Sequence, residues 1–229
     1  MAMGFEVAGR LSRADAVTLC NAAVGFLAGV AAFTDLQLAA RLVLLSVIVD
    51  ALDGIVARNG GGSAVGPLLD SITDVVSFGV TPSLFVYVVL SARYGGAGAG
   101  AGTFLAVGLT ASLYAVFSIL RTAFYSTYFE GSTDRPGMPN SLGAILLATA
   151  YLAGVTHPVV LTVGMAVLAV AQVSPFDYPK PGVGTVIPMG VVLSVSVVAP
   201  TAFGRAGPRI MLAIAVLFFL FGPRYYWGE

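Results

Sequence analysis

Four aspartates stand inside sequence that otherwise reads as membrane helix: Asp50 and Asp53 in one apolar stretch, Asp70 and Asp74 in the next. A carboxylate near the centre of a bilayer costs roughly 2.5–3.5 kcal/mol on insertion scales. The chain has 11 acidic residues in all, and four of them fall within these twenty-five positions. Such a cluster calls for compensation. A divalent cation is the simplest partner for it, and metals bridged by aspartates are a standard device for phosphoryl chemistry. The spacing supports one shared site. On a helix, Asp50, Asp53, Gly54, Ala57 and Arg58 are related by steps of three and four and lie on one face. Gly66, Asp70 and Asp74 follow at steps of four and share a face of the next helix. A short hairpin brings the two faces together as a carboxylate box. Small residues stand beside it, and an arginine at its rim offers a fixed fork for phosphate oxygens.

The elements that must position this box follow from composition. The chain has 229 residues, 58% hydrophobic and only 10% charged, far too apolar for a soluble domain. The expected fold is all-α: a polytopic integral membrane helix bundle, read as one domain over residues 1–229. A span needs about 20 mostly apolar residues. Helices are predicted near 14–33, 36–58, 66–91, 103–126, 141–156, 158–173, 184–201 and 208–222, six in a catalytic core and two beyond it. Turn chemistry separates them: Asn59-Gly60-Gly61-Gly62-Ser63, the Gly/Ala run 95–102, Arg135-Pro136-Gly137-Met138-Pro139, and Ser174 to Gly184 with three prolines. The Gly/Ala run has neither the Lys-Ser/Thr nor the strand of a phosphate loop, and reads as a connector.

Eight spans put both termini on one side. Arg10, Arg13, Arg58, Arg121, Arg135, Lys180 and Arg224 fall on that side, and Arg41, Arg93, Arg205 and Arg209 on the other. That asymmetry predicts both termini in the cytoplasm and the box at the cytoplasmic face of the cell membrane. No cleavable leader is evident in the polar first thirteen residues. Net charge is zero, so nothing points to nucleic acid. Cys20 is the single cysteine and sits in an apolar run, which fits packing. His157 reads as interfacial, as do Tyr225, Tyr226 and Trp227. Met138, Met165, Met189 and Met211 read as packing. Small residues in the first four helices would allow close contact and a homodimer.

The run Asp50-Ala-Leu-Asp53-Gly54-Ile-Val-Ala57-Arg58, then Gly66-Pro-Leu-Leu-Asp70-Ser-Ile-Thr-Asp74, resembles the signature of the CDP-alcohol phosphotransferases, Asp-x2-Asp-Gly-x2-Ala-Arg-x8-Gly-x3-Asp-x3-Asp. Every fixed residue is present. One departure is visible: seven residues, not eight, separate Arg58 from Gly66, in a glycine-rich hairpin able to absorb the change. The continuation Asp74-Val-Val-Ser-Phe-Gly-Val-Thr-Pro82 and the upstream Asp15-Ala-Val-Thr18-Leu-Cys-Asn21 to Phe26 are similar to the phosphatidylserine synthase branch, including its archaeal archaetidylserine type. Gly137-Met-Pro139 and Tyr178-Pro-Lys180 resemble two later loops of that branch. The likeness runs over about residues 11–185.

The resemblance implies an enzyme of phospholipid biosynthesis, transferring a phosphatidyl-type group from a CDP-activated lipid to L-serine with release of CMP. It implies that Asp50, Asp53, Asp70 and Asp74 hold two divalent metals, Mg2+ or Mn2+, and that Asp74 also takes the serine proton. Thr18, Asn21, Asp53, Gly54, Ala57, Arg58, Gly66 and Asp70 would line the nucleotide site. Arg121 and Arg135 are candidates for lipid phosphate or the serine carboxylate, and equally for positive-inside anchors. Two other readings remain. One keeps the chemistry with another acceptor, such as glycerol 3-phosphate or an inositol phosphate. The other is an ion-coupled transporter, which would show broken helices in two related halves. No such repeat is present, and all four carboxylates lie in one hairpin.

Overall fold

The computed structural model describes residues 8–58, 62–94, 100–129, 135–179 and 183–225. The expectations at Asn59–Gly61, at positions 95–99 of the Gly/Ala run, at Lys180, and at Tyr226 and Trp227 lie outside the described residues. The helices are α1 (Arg13–Ala31), α2 (Leu36–Val56), α3 (Gly66–Asp74), α4 (Thr81–Arg93), α5 (Ala101–Phe124), α6 (Asn140–Ala153), α7 (Pro158–Gln172), α8 (Val183–Val198) and α9 (Ala202–Tyr225). A π-helical stretch, Val75–Val80, joins α3 to α4 in one continuous rod, and a second, Tyr125–Phe129, extends α5. Among the described residues there is no strand beyond a bridge pairing Pro136 with Asp177. The protein is an all-α, polytopic membrane bundle.

Among the described residues, four segments are long and apolar enough to cross a membrane: Arg13–Ala31, Gly66–Arg93, Phe104–Phe129 and Ala202–Pro223. Helix α2 matches them with 21 residues but carries Arg41, Asp50 and Asp53 within its length. Large apolar side chains point outward, as a lipid solvent permits: Phe26, Phe33, Leu68 and Val198 are all mostly exposed. The interior is lined by small residues where helices approach closely, among them Ala28, Ala31, Ala39 and Ala40 in α1 and α2, and Gly25 where α1 meets Ser77.

Local sequence fixes the helix ends near the box. Ser12 caps α1 through a capping box: its hydroxyl accepts from Asp15 N at 3.2 Å, and Asp15 Oδ2 accepts from Ser12 N at 2.6 Å. Asp35 caps α2, accepting from Gln37 N and Leu38 N at 2.9 and 3.0 Å. Pro67 opens α3, where a missing N–H costs nothing. Pro82 lies deeper in the rod. The carbonyl of Phe78, four residues before it, accepts instead from the Tyr114 hydroxyl at 3.4 Å. The π-helical stretch therefore lies where an α-helix would lose a bond, directly after Asp74.

Helix α1 is held against that stretch by close backbone approach. A Cβ on Gly25 would come within 2.9 Å of Ser77 Cα. The freed room lets Ser77 Oγ donate to Asn21 O at 3.2 Å and Thr81 Oγ1 donate to Gly25 O at 3.0 Å. Tyr114 of α5, Phe78 and Phe85 of the α3–α4 rod and Leu44 of α2 fill the centre. Helix α9 then packs on α6, and α8 on α2 and α9. In α9 the residues Phe203, Gly204 and Arg205 adopt left-handed backbone, so the regular part of the helix begins after them, near the predicted start at 208.

Candidate active site

Two helices deliver the carboxylates, as their spacing requires. Asp50, Asp70 and Asp74 each offer an oxygen, and the three oxygens lie within 4.8 Å of one another. Asp50 and Asp74 are partly buried and Asp70 is exposed, so the cluster has one open side. Asn21 of α1 donates from Nδ2 to Asp50 Oδ1 at 3.4 Å. Its backbone carbonyl is the one bonded by Ser77, so the contact that locks α1 to the rod also aims Asn21 at the box.

Asp53 stands apart from the trio. It is buried at 5% exposure, with the Thr18 side chain facing its carboxylate. Thr18 Oγ1 also donates to Ala14 O at 3.1 Å. The motif spacing puts all four aspartates at one site, and the structure brings three into ligand distance with the fourth behind them toward α1. A helix turn of 3.6 residues explains this: Asp53 lies about 60° around the axis from Asp50.

The small residues of the motif serve neighbouring side chains. A Cβ on Gly54 would lie 3.3 Å from Arg58 Nη1, so the Arg58 guanidinium folds back over the glycine. A Cβ on Gly66 would lie 3.2 Å from Asp15 Oδ1, and Gly66 N donates to Ser63 Oγ at 3.1 Å. Gly66 thus seats the start of α3 on the capping box of α1. Ala57 is exposed at the end of α2.

Arg121 approaches from α5. It is attracted to Asp74, and its guanidinium stacks over the Tyr125 ring, 4.7 Å from the centroid. Arg135 is near enough for the two cations to repel. The Arg135 segment is tied to the segment that follows α7: Arg135 N donates to Asp177 Oδ1 at 3.0 Å, and Tyr178 N donates to Arg135 O at 3.1 Å. Arg121 therefore faces the box, whereas Arg135 belongs to a loop docked beside it.

Among the described residues, several buried polar atoms in this region have no hydrogen-bond partner: Asn21 Oδ1, Asp53 Oδ2 and Asp74 Oδ1 around the box, and Ser118 Oγ, Arg121 Nε, Asn140 Oδ1 and both amide atoms of Gln172 beyond it. Buried polar groups are almost always paired, so unpaired ones mark places built for something else. Unpaired carboxylate oxygens beside three converging aspartates are the donor set that a hard divalent cation takes. The residues present fit such an ion. Sequence reasoning missed Asn140 and Gln172. A signal existed for the second: apart from Thr162, Gln172 is the only polar side chain in the apolar run of α7.

A helical membrane bundle with a carboxylate box at the junction of three helices defines the class: an integral membrane protein equipped for phosphoryl chemistry. Residues 11–176 match the family model for CDP-alcohol phosphatidyltransferase. The chain belongs to that family. It is 29% identical over 171 residues to an archaetidylserine synthase of Methanothermobacter thermautotrophicus, covering 72% of this chain and 69% of that one. It is 43% identical over 84 residues to a CDP-diacylglycerol–serine O-phosphatidyltransferase of Methanocaldococcus jannaschii, covering 36% and 39%. It is 32% identical over 156 residues to a protein of the same description from Helicobacter pylori, covering 62% and 61%. The chain therefore spans less than two thirds of the length of the last two relatives.

Proposed function

We propose that this protein transfers the phosphatidyl-type or archaetidyl group of a CDP-activated lipid to the hydroxyl of L-serine, releasing CMP, at the cytoplasmic face of the cell membrane. The observation that carries the reading is the convergence of Asp50, Asp70 and Asp74 inside a family-matched bundle. The names of the relatives support serine as the acceptor. On this reading Asp50, Asp53, Asp70 and Asp74 hold two divalent ions, Mg2+ or Mn2+. Bound there, the ions would neutralise charge on the pyrophosphate as its anhydride bond breaks.

The chain's own residues do the rest. Asp74 accepts the proton of the serine hydroxyl. The serine oxygen then forms a bond to the lipid-side phosphorus, and the bond from that phosphorus to the CMP oxygen breaks. CMP is a fair leaving group, so positioning and charge stabilisation dominate. Thr18 and Asn21 hold Asp53 and Asp50 on the nucleotide side. Gly54 gives Arg58 room to fold its phosphate-binding fork toward the α2 backbone, while Ala57 and Gly66 keep the entrance narrow in side-chain bulk. A groove of about 640 Å³ beside α3, lined by residues that include Leu68, Ile72, Ile119 and Ala123, suits a lipid chain entering from the bilayer. The first six spans are then the catalytic core, with α8 and α9 bracing α2 and α6.

The test is CMP release by the purified protein with CDP-lipid, a divalent metal and one acceptor at a time. Release with serine alone, lost on chelation, is the expected result. Release only with glycerol 3-phosphate or an inositol phosphate would discard serine and keep the mechanism.

A further inference from the structure

The unpaired polar atoms beyond the box gather where α5, the start of α6 and the end of α7 meet. Gly137 is the pivot. It adopts φ +81°, and a Cβ there would run into the Gln172 carbonyl and lie 3.4 Å from Arg121 Cγ. Its loop is stitched to α7 by Gly137 N donating to Phe176 O at 3.0 Å and Met138 N donating to Ala171 O at 2.9 Å. Asn140 follows at the start of α6, where Nδ2 donates to Thr122 Oγ1 at 2.8 Å and to Ser118 O at 3.4 Å. Its amide is thereby oriented, with Oδ1 left over. Gln172 is fully buried, and among the described residues neither of its amide atoms is paired. A cavity of about 430 Å³ opens over Arg121, Tyr125, Gln172 and Ser174, with Leu120 and Phe124 forming its apolar side.

The leftover groups have a definite chemistry. In the cavity, Arg121 Nε and Gln172 Nε2 are donors and Gln172 Oε1 is an acceptor. A carboxylate needs the two donors and an ammonium the acceptor. Arg121 is also attracted to Asp74, so the cavity and the carboxylate box share this arginine as a neighbour. The geometry points to Gln172 as the residue that selects a small zwitterionic amino acid as acceptor, binding its ammonium through Oε1 and its carboxylate through Nε2 together with Arg121. The inference rests on the serine reading above and deepens it. An acceptor carrying a phosphate and no ammonium would offer the Gln172 oxygen only a neutral hydroxyl, a weaker donor than a charged ammonium.

The test uses the full chain in lipid nanodiscs, with CMP release followed as serine is varied and CDP-lipid binding measured separately. Gln172→Leu keeps the volume and removes the amide. Serine KM should rise about tenfold to a hundredfold, with CDP-lipid affinity unchanged. Gln172→Glu places a negative charge beside the acceptor carboxylate. It should shift preference from serine toward ethanolamine, which keeps hydroxyl and ammonium and lacks the carboxylate. A residue with only a packing role would not produce that shift. Should these variants fail to fold, the wild-type protein still decides: ethanolamine and 3-hydroxypropionate should each be used about tenfold less efficiently than serine, or worse. Serine-dependent wild-type turnover with an unchanged serine KM in Gln172→Leu, or equal use of either analogue by the wild type, overturns the inference and leaves a site for buried water. No serine-dependent release by the wild type overturns the serine reading itself, and the inference with it.

Discussion

Among the described residues two polar places stand out, and they are built differently. The carboxylate box comes from two helices that follow one another in the chain, its residues three and four apart on each. The Arg121–Gln172 pocket is lined from α5 and its π-helical extension, from Pro136 and from the end of α7, with Arg121 and Gln172 fifty-one positions apart and a left-handed glycine between them in sequence. The first needs little beyond local periodicity. The second exists only when two helix ends and the 135–139 loop have packed. A reaction core can thus be written in a compact motif, while the choice of acceptor is spread over residues without one.

The comparison can be broken at either place. Asp74→Asn should lower CMP release about 10²–10⁴-fold while CDP-lipid binding persists. Normal turnover in that variant would remove Asp74 from proton transfer. Chelation should stop turnover and added Mg2+ or Mn2+ restore it; activity that survives exhaustive chelation would mean that the box holds no functional metal. At the pocket, Gly137→Ala forces an L side chain into left-handed backbone and against the Gln172 carbonyl. It should cost about 1–3 kcal/mol in stability, read as a lower unfolding temperature in detergent. An unaltered melting curve would show that the loop can retreat from α7 without penalty.

Two smaller changes sharpen the comparison at the edge of the box. Asn21→Ala removes the amide at Asp50 and should reduce turnover by about tenfold, in keeping with one hydrogen bond to a charged group. Equal loss in Asn21→Asp, which keeps the side-chain volume and removes the donor, would assign the effect to the amide; unchanged turnover there would assign the alanine effect to packing. Ser12→Ala removes one cap of α1 and should cost about 1 kcal/mol, seen in thermal unfolding with kcat hardly changed.

Much of the architecture was legible because membrane spans are written in composition. The eight predicted helices are all present, with ends displaced by a few residues. The largest shift is at α9, where Phe203–Arg205 carry left-handed backbone inside an apparently helical stretch. The π-helical insertions were not legible. They depend on where Pro82 leaves a carbonyl unbonded and on whether Tyr114 is near enough to take it. Within the site, Asp50, Asp70 and Asp74 met as spacing required. Asp53 turned toward Thr18, because a step of three residues falls short of a full helical turn. Gly54 and Gly66 proved to touch Arg58 and Asp15, contacts set by side-chain paths that spacing does not carry.

The sequence by itself determined that this chain is a membrane helix bundle with a phosphoryl-transfer motif. Apolar run length, turn residues and helical periodicity are local properties, and each reads directly from residue order. Only the tertiary structure decided which polar side chains face one another. Gln172 is one amide in an apolar helix until Gly137 lets the loop close on it and Arg121 shares its cavity. That closeness comes from the packing of α5 against α7 with the 135–139 loop beside them, which depends on the shapes of all these surfaces together.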